Sequence, residues 1–312
     1  MTGRIVTCDG AVYDLPSLLE WTVVYTGTVP CDSFTVTCPY KPDMADVLHR
    51  AVGFLALNGS NVLLRGIVDE YRVELSQDGL TVSLEGRGYA ARLLDNESKA
   101  VTYQNATLQE ILHDHVEPYG ISWDAVNLRA ASVYTVAAGS SQWKALNNFC
   151  QAYGGWSPRF SREGTLIARP ESDSGNRIQM GDRTPLISLT KRENHYGVLS
   201  EVLVMDKART ASYSVKNQDW IGRGGCCRRV LYTPGKSTSA AMRYTGEYQL
   251  AQSRTEEMSV ELQLPGVFAA FPGDLVQIQF TGVGINGEYR VVEAENSLSE
   301  EGETAVLTLK EK

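Results

Sequence analysis

NVLLRGIVDEYRVELSQDGLTVSLEGRGYAARLLDNES, residues 61–98, is the stretch on which the fold turns. Its two halves, NVLLRGIVDEYRVEL (61–75) and LTVSLEG (80–86), are rich in β-branched and aliphatic residues. Gln77-Asp78-Gly79 between them is turn chemistry, so the pair reads as a β-hairpin. Immediately afterwards Gly86, Gly88 and Ala91 take up the spacing of a dinucleotide fingerprint between a strand and a helix. A nucleotide fold, however, requires a parallel βαβ unit whose next buried strand ends in an acidic residue about 20 positions on. Here short hairpin turns join the strands, and the helix after Gly88 runs at once into Asp95-Asn96-Glu97-Ser98. The glycines therefore read as steric necessities of a tight strand-to-helix turn, with nucleotide binding as the rival.

Upstream lie further short strands, WTVVYTG (21–27), SFTVTCP (33–39) and GFLAL (53–57), the last joined to residue 61 by Asn58-Gly59-Ser60. Residues 1–98 thus form a compact antiparallel sheet or small barrel. From residue 99 two helices appear. Thr107 and Glu110 make a capping box ahead of Leu108, Ile111, Leu112 and His115, and Pro118 and Gly120 stop the run. Ser140 or Ser141 caps a second helix with Trp143, Leu146, Phe149, Cys150 and Tyr153 on one face, closed by Gly154-Gly155. Each helix leads into extended sequence, ISW (121–123) after the first, then WSPRF (156–160) and GTLIARP (164–170) after the second. A β-α-β unit occurring twice predicts a small α/β domain over 99–183, left through the polar stretch 171–183.

Strands return in PLISLTKRE (185–193), VLSEVLVMD (198–206) and the alternating Met258, Val260, Leu262 and Leu264. A helix over 239–253 places Ala241, Tyr244, Tyr248 and Ala251 in register. The chain ends in DLVQIQF (274–280), GEYRVVEAE (287–295) and TAVLTLK (304–310), with Asn286-Gly287 and Glu301-Gly302 as turns. The expected order is a β domain over 1–98, an α/β insert over 99–183 and a second β domain over 184–312. No period of about 20–50 residues repeats cleanly, which argues against a solenoid or propeller.

At 312 residues, 43% hydrophobic and 21% charged, the chain is long enough for two or three cores and wrong for a disordered protein. Net charge is −8, which argues against phosphate-driven nucleic-acid affinity. The N-terminus lacks a signal-peptide core and nowhere do about 18 apolar residues run together, so a soluble protein made without secretion or membrane insertion is expected. Cys8, Cys31, Cys38, Cys150, Cys226 and Cys227 show no CxxC spacing and read as reduced, mostly buried thiols. Cys226 and Cys227 point to opposite faces of an extended segment and cannot easily share a metal.

Candidate chemistry is sparse. Glu110, His113, Asp114, His115 and Glu117 crowd one helix, but His113 and His115 lie two apart and face away from each other, unlike the i, i+4 pair of a zinc helix. No GxSxG elbow is present, and His49 and His195 fall in no catalytic motif. Among 37 acidic residues nothing singles out a glycosidase pair. Arg223-Gly224-Gly225-Cys226-Cys227-Arg228-Arg229 reads as a flexible solvated loop or an inter-subunit contact, with a phosphate site as the rival. Trp143, Trp156 and Trp220 offer a sugar platform, the alternative being that Trp143 packs within its helix face and Trp156 starts a strand. No residue is assigned to catalysis, a cofactor or a metal, and no enzyme is expected.

Four segments taken in order resemble the baseplate hub family of contractile-tailed phages such as Mu, related to late control D proteins and to the hub-like part of type VI secretion spike proteins. They are SFTVTCP with residues 62–98, NATLQEILHDHVEPYGI (105–121), AAGSSQWKALNNFCQAYGGWSPRFSREGTLIARP (137–170), and FPGDLVQIQF (271–280) with residues 284–309. Trp143 stands where that family more often has a polar or acidic residue. The resemblance implies a β-rich α+β chain with two β-barrel-like tube domains, 1–98 and 184–312, and a peripheral insert, 99–183. Three copies would close a pseudo-hexameric ring. Such a homotrimer would adapt a hexameric tail tube protein to a trimeric central spike protein, contact other baseplate proteins, and pass DNA or tape-measure protein through its lumen without specific binding. It would be made in the bacterial host cytoplasm and reside in the virion. Rival readings are a carbohydrate-binding or hydrolytic tail-tip protein, and the hub of a phage-derived bacteriocin or type VI-like machine. With the sequence ending at Lys312, a hub without a fused spike is the expectation. The acidic balance predicts a lumen that is acidic or neutral, with Arg223, Arg228 and Arg229 turned away from it.

Overall fold

The computed structural model describes residues 1–27, 32–77, 79–130, 133–170, 177–206, 211–233, 239–254 and 257–312. Cys31, Asp78 of the predicted hairpin turn and residues 171–176 of the predicted exit lie outside them. The chain forms two compact units. The first comprises Met1–Arg177, Gln263–Leu275 and Val291–Leu307, the second Ile178–Leu262, Val276–Arg290 and Thr308–Lys312. Both the strands of 1–98 and the helices of 99–183 fall within the first.

The first unit opens with β1 (Thr2–Thr7), β2 (Val12–Asp14), β3 (Glu20–Thr26), β4 (Ser33–Pro39), α1 (Ala45–His49), β5 (Ala51–Asn58), β6 (Asn61–Ser76), β7 (Gly79–Gly88) and α2 (Ala91–Leu94). The sheet runs β3-β4-β7-β6-β5-β1-β2, and every neighbouring pair is antiparallel. Alternation decides which face is buried. Trp21, Val23 and Tyr25 of β3, Phe34, Val36 and Cys38 of β4, and Val82 and Leu84 of β7 all point inward. Phe34 and Phe54 stack with ring centroids 4.1 Å apart at the centre of that face. Asn58 pairs with Asn61 around Gly59, whose φ of +59° is what the tight turn needs.

Next come β8 (Val101–Tyr103), α3 (Leu108–His115), β9 (Trp123–Ala125), β10 (Tyr134–Val136), α4 (Gln142–Gly154), β11 (Arg159–Phe160) and β12 (Leu166–Ala168). The predicted double β-α-β pattern is present in chain order: the strands preceding the two helices, β8 and β10, pair antiparallel, while β9 and β12 pair parallel. The capping box forms as predicted, with Thr107 Oγ1 accepting from Glu110 N and Glu110 accepting from Thr107 N. Ser141 caps α4 and Gly155 ends it in the left-handed conformation. The apolar faces meet in a core containing Leu108, Ile111, Leu112, Leu146, Phe149 and Cys150.

The second unit draws on β13 (Arg177–Gly181), β14 (Ser188–Glu193), β15 (Glu201–Asp206), β16 (Ser212–Lys216), α5 (Gln218–Gly222), β17 (Arg228–Thr233) and α6 (Ser239–Arg254), and on parts of β18 (Met258–Pro265), β19 (Leu275–Phe280), β20 (Ile285–Ser299) and β21 (Gly302–Glu311). β15 is flanked by β16 antiparallel and β17 parallel. α6 packs on this small sheet through Met242, Gly246 and Leu250, against Leu199, Val202 and Val204. This corrects the predicted helix face: Tyr248 and Ala251 are exposed. Gly246 is the reason. A Cβ there would lie 2.7 Å from Val215 Cγ2, so a residue that counts as a gap in an apolar pattern marks the closest approach. A second correction concerns Asn286-Gly287, which lies inside β20; the turn from β19 is a short 3₁₀ helix, Thr281–Val283, closed by Gly284 at φ +68°. The C-terminal strands also serve the first unit, where Glu293–Leu298 of β20 pairs antiparallel with Thr26–Trp21 of β3.

Candidate assembly surface

The hairpin β6–β7 is flanked by β4 along β7 as far as Thr81, but on the β6 side its neighbour β5 stops short. β5 accompanies β6 only from Asn61 to Ile67, whereas β7 accompanies it to Ser76. The register between β6 and β7 shifts between Val68 and Glu70, so Asp69 is an extra residue, a bulge. Beyond it Tyr71 lies opposite Leu84, Val73 opposite Val82 and Leu75 opposite Leu80. Val82 and Leu84 are fully buried, so β6 continues the apolar face of the core along the sheet edge that β5 leaves open. There Tyr71, Val73, Leu75 and Leu80 are exposed, Leu75 to 79%. The opposite face of β6 carries Glu70, Arg72 and Glu74, with Arg72 donating to Glu70 at 3.1 Å.

The bulge is held by charge. Arg87 donates from Nε to Asp69 Oδ2 at 2.7 Å and from Nη2 to Asp69 Oδ1 at 2.9 Å. It also reaches Asp95 Oδ1 at 3.0 Å and Oδ2 at 2.7 Å. Bidentate contacts between a guanidinium and a carboxylate are charge-assisted and geometrically specific, and here one guanidinium makes two. They raise the Arg87 pKa, chiefly through the hydrogen bonds to Asp69, and hold the Asp95 carboxyl below its usual range. The arginine between the two fingerprint glycines thus clamps a hairpin. Gly86 and Gly66 serve the same end: a Cβ on Gly86 would meet the Ile67 oxygen at 2.0 Å, and one on Gly66 the Arg87 oxygen at 2.4 Å. Sequence reasoning did not bring Asp69, Arg87 and Asp95 together, because pairing across a bulge depends on a register that spacing does not reveal.

At the end of the strand, Asp32 Oδ1 accepts from Thr26 N at 2.9 Å, and Gly88 N donates to the Asp32 carbonyl at 2.7 Å. Burial pushes the Asp32 carboxyl up to about 6. It borders a hollow of about 280 Å³ lined by Tyr25, Phe160, Arg162, Glu163 and Phe271 among others, with the Arg162 guanidinium 4.2 Å from the Phe271 ring centroid.

Along its whole length the chain superposes on solved proteins. It matches the tail protein from Neisseria meningitidis MC58 with a TM-score of 0.82 at 18% identity, covering 100% of this chain and 96% of that one. With the 43 kDa tail protein of prophage MuSo2 from Shewanella oneidensis the TM-score is 0.83 at 14% identity, covering 100% and 98%. The fold is that of phage tail proteins. A more distant form of this phage-tail fold is the E. coli c3393 protein, a component of the type VI secretion system described as similar to the T4 tail proteins gp27 and gp5. There the TM-score is 0.54 at 11% identity, over 95% of this chain and 73% of that one. No protein-family model matches the sequence, and no curated protein matches it significantly.

Within the phage-tail fold the remaining candidate residues have structural partners. His115 is buried, its Nδ1 2.6 Å from Gln142 Oε1 and its Nε2 3.0 Å from the Tyr103 hydroxyl; His113 is exposed and pairs with Glu117. Trp143 is buried near Phe160, Trp156 is half-buried against Gly154, and Trp220 is buried beneath Gly225, so neither Trp143 nor Trp220 offers a ring to a sugar. The arginine cluster departs from the flexible loop expected of it. Arg223 stacks on Trp220 and pairs with Glu257, while Arg228 and Arg229 belong to β17, where Arg228 pairs with Glu201 at 2.6 Å and Arg229 donates to Gln249 at 3.4 Å. The cysteines also need correction, since Cys8, Cys226 and Cys227 are exposed and only Cys38 and Cys150 are buried among those described. Burial raises the latter two thiols to about 11 and about 12, which keeps them protonated and inert. Among the described residues no helix is long and apolar enough to cross a membrane.

Proposed function

We propose that the chain is a structural subunit of a phage or prophage tail baseplate, a hub of which three copies close a ring. Residues 1–98 and 184–312 act as its two tube-like parts and 99–183 as the peripheral insert. Two such parts per chain and three chains make six, which lets one ring meet a hexameric tail tube on one side and a trimeric spike on the other. The supporting observation is the match over the full length to two phage tail proteins, each covered to within a few per cent of its own chain. A role in mechanics and not in chemistry is supported by what the candidate residues do: the fingerprint glycines pack strands, His115 completes a buried network and Arg223 and Arg228 close ion pairs. On this reading the subunit works in the virion with tube, spike and other baseplate proteins, and DNA or tape-measure protein passes its lumen without being held.

The mass in solution tests the proposal. Three chains of 34.3 kDa give a particle of about 103 kDa. A monomer that binds oligosaccharide in the same buffer would favour the tail-tip carbohydrate reading instead and would overturn the hub.

A further inference from the structure

From Glu70 onward β6 pairs with β7 alone. Among the described residues no backbone hydrogen bond reaches Tyr71, Val73 or Leu75 from the side away from β7. Counting back from the Ser76–Gly79 pair, the ladder bonds to β7 fall on Arg72 and Glu74, and the N–H and C=O groups of Tyr71, Val73 and Leu75 point outward. An open edge of this kind next to an exposed apolar face is a template for another strand. The order Tyr71-Arg72-Val73-Glu74-Leu75 shows which strand fits, because it reads almost the same in both directions: apolar, charged, apolar, opposite charge, apolar.

We propose that this edge pairs antiparallel with the same edge of a second copy, centred on Val73. In that register Arg72 faces the second copy's Glu74 and Glu74 faces its Arg72, while Tyr71 meets Leu75 and Val73 meets Val73. Opposite charges and apolar pairs directly across a ladder are favourable, and like charges are not. Shifting the centre to residue 72 sets Arg72 against Arg72 and Glu70 against Glu74. Shifting it to residue 74 sets Glu74 against Glu74. Like charges exclude both adjacent centres, and a centre at residue 71, though it again sets Glu70 against Arg72, runs Val73 into the Asp69 bulge; the register centred on Val73 remains, and the contact is isologous, the same patch on both copies. It sets Tyr71, Val73 and Leu75 of the two copies side by side on one face, so that each shields the flank of its neighbour from water. The inference does not rest on the ring: copies that are single would pair into dimers, and copies already closed in threes would join two rings.

Sedimentation equilibrium from micromolar to millimolar protein in low-salt buffer tests it. The wild-type mass doubles with concentration, whatever the starting assembly. R72E sets Glu against Glu, and E74R sets Arg against Arg; each weakens the doubling by about tenfold or more, since two symmetry-related pairs turn repulsive. An equimolar mixture of R72E and E74R, and separately the double variant R72E/E74R, restores it. Both sites are exposed, with 64% of the Arg72 side chain in solvent, and recovery in the mixture shows that neither variant is misfolded. No doubling in the wild type, doubling in the single variants equal to the wild type, or a mixture that fails to recover would each overturn the proposal.

Discussion

Gly86→Ala separates a glycine that packs strands from one that cradles a ligand. The added Cβ would sit 2.0 Å from the Ile67 carbonyl oxygen and 2.6 and 2.7 Å from two ring atoms of Phe34. Non-bonded heavy atoms become comfortable at about 3.5 Å, so β6 and β7 would have to part by more than 1 Å from a normal spacing of about 4.8 Å. Such a gap breaks ladder bonds in the middle of the sheet. Phe34 has nowhere to retreat, because Phe54 stacks on it at 4.1 Å. The expected loss is at least about 4 kcal/mol, above the ~1–3 kcal/mol of ordinary overpacking. Gly88→Ala is the matched control: two residues along the same strand, its Cβ comes no nearer than 3.2 Å, to the Asp32 Cβ, and the loss should stay at about 1 kcal/mol. Both changes affect the unfolded chain alike. Urea unfolding followed by fluorescence, with Trp21 reporting from the same core, measures the difference. A Gly86→Ala protein within about 1 kcal/mol of Gly88→Ala would refute the steric account and reopen a ligand role for the glycines.

Arg87→Met removes the clamp on the bulge and should cost about 1–2 kcal/mol at pH 7 after solvent screening. Because the Asp95 pKa is lowered in the folded state, that stabilisation is present above its ordinary 3.8 and is lost as pH falls through the folded value, so thermal scans at pH 7 and pH 3 should show the cost shrinking at the lower pH. Asp32→Asn has the opposite sign: the folded carboxyl titrates at about 6 against 3.8 unfolded, so wild-type stability is full below about 4 and declines as pH rises through 6, by up to about 3 kcal/mol. The asparagine keeps an acceptor for Thr26 N–H, and should melt above the wild type at pH 7.5 and level with it at pH 4; a lower melting point at pH 7.5 would contradict this. Gly246→Leu should lift α6 from Val204 and Val215 and cost about 2–3 kcal/mol, while Tyr248→Ala, on the exposed side, stays within about 0.5 kcal/mol in the same chemical denaturation. For the assembled ring, a DNA-retention assay at low salt should show no binding, with Arg223 and Arg228 already neutralised by Glu257 and Glu201; tight retention would show a basic lumen.

Much of the fold was legible in local sequence because local chemistry decides it. The alternation in residues 33–39 and 80–86, the capping box at Thr107 and Glu110, and the glycine stop after α4 each act within a few residues, and each stands where the pattern puts it. What stayed hidden depends on partners far along the chain. The apolar face of α6 was misread because its central residue is Gly246, which contributes close approach and no apolar surface of its own. Asn286-Gly287 looks like a turn, yet neighbouring strands hold it extended within β20. The joining of β20 to β3 spans more than 250 residues, and no pattern within either strand announces it. The candidate surface was half visible: the length of the strand over 61–75 could be read, but its exposure comes from β5 starting only at Ala51 and running alongside as far as Ile67.

Electron cryomicroscopy of the purified protein at concentrations where it is fully assembled tests the central claim most directly. The account predicts a closed ring of three chains whose inner wall shows six similar β-rich segments, two from each chain, with residues 99–183 on the outside. A particle of one or two chains, or a ring whose two parts per chain have unrelated topologies, would contradict it.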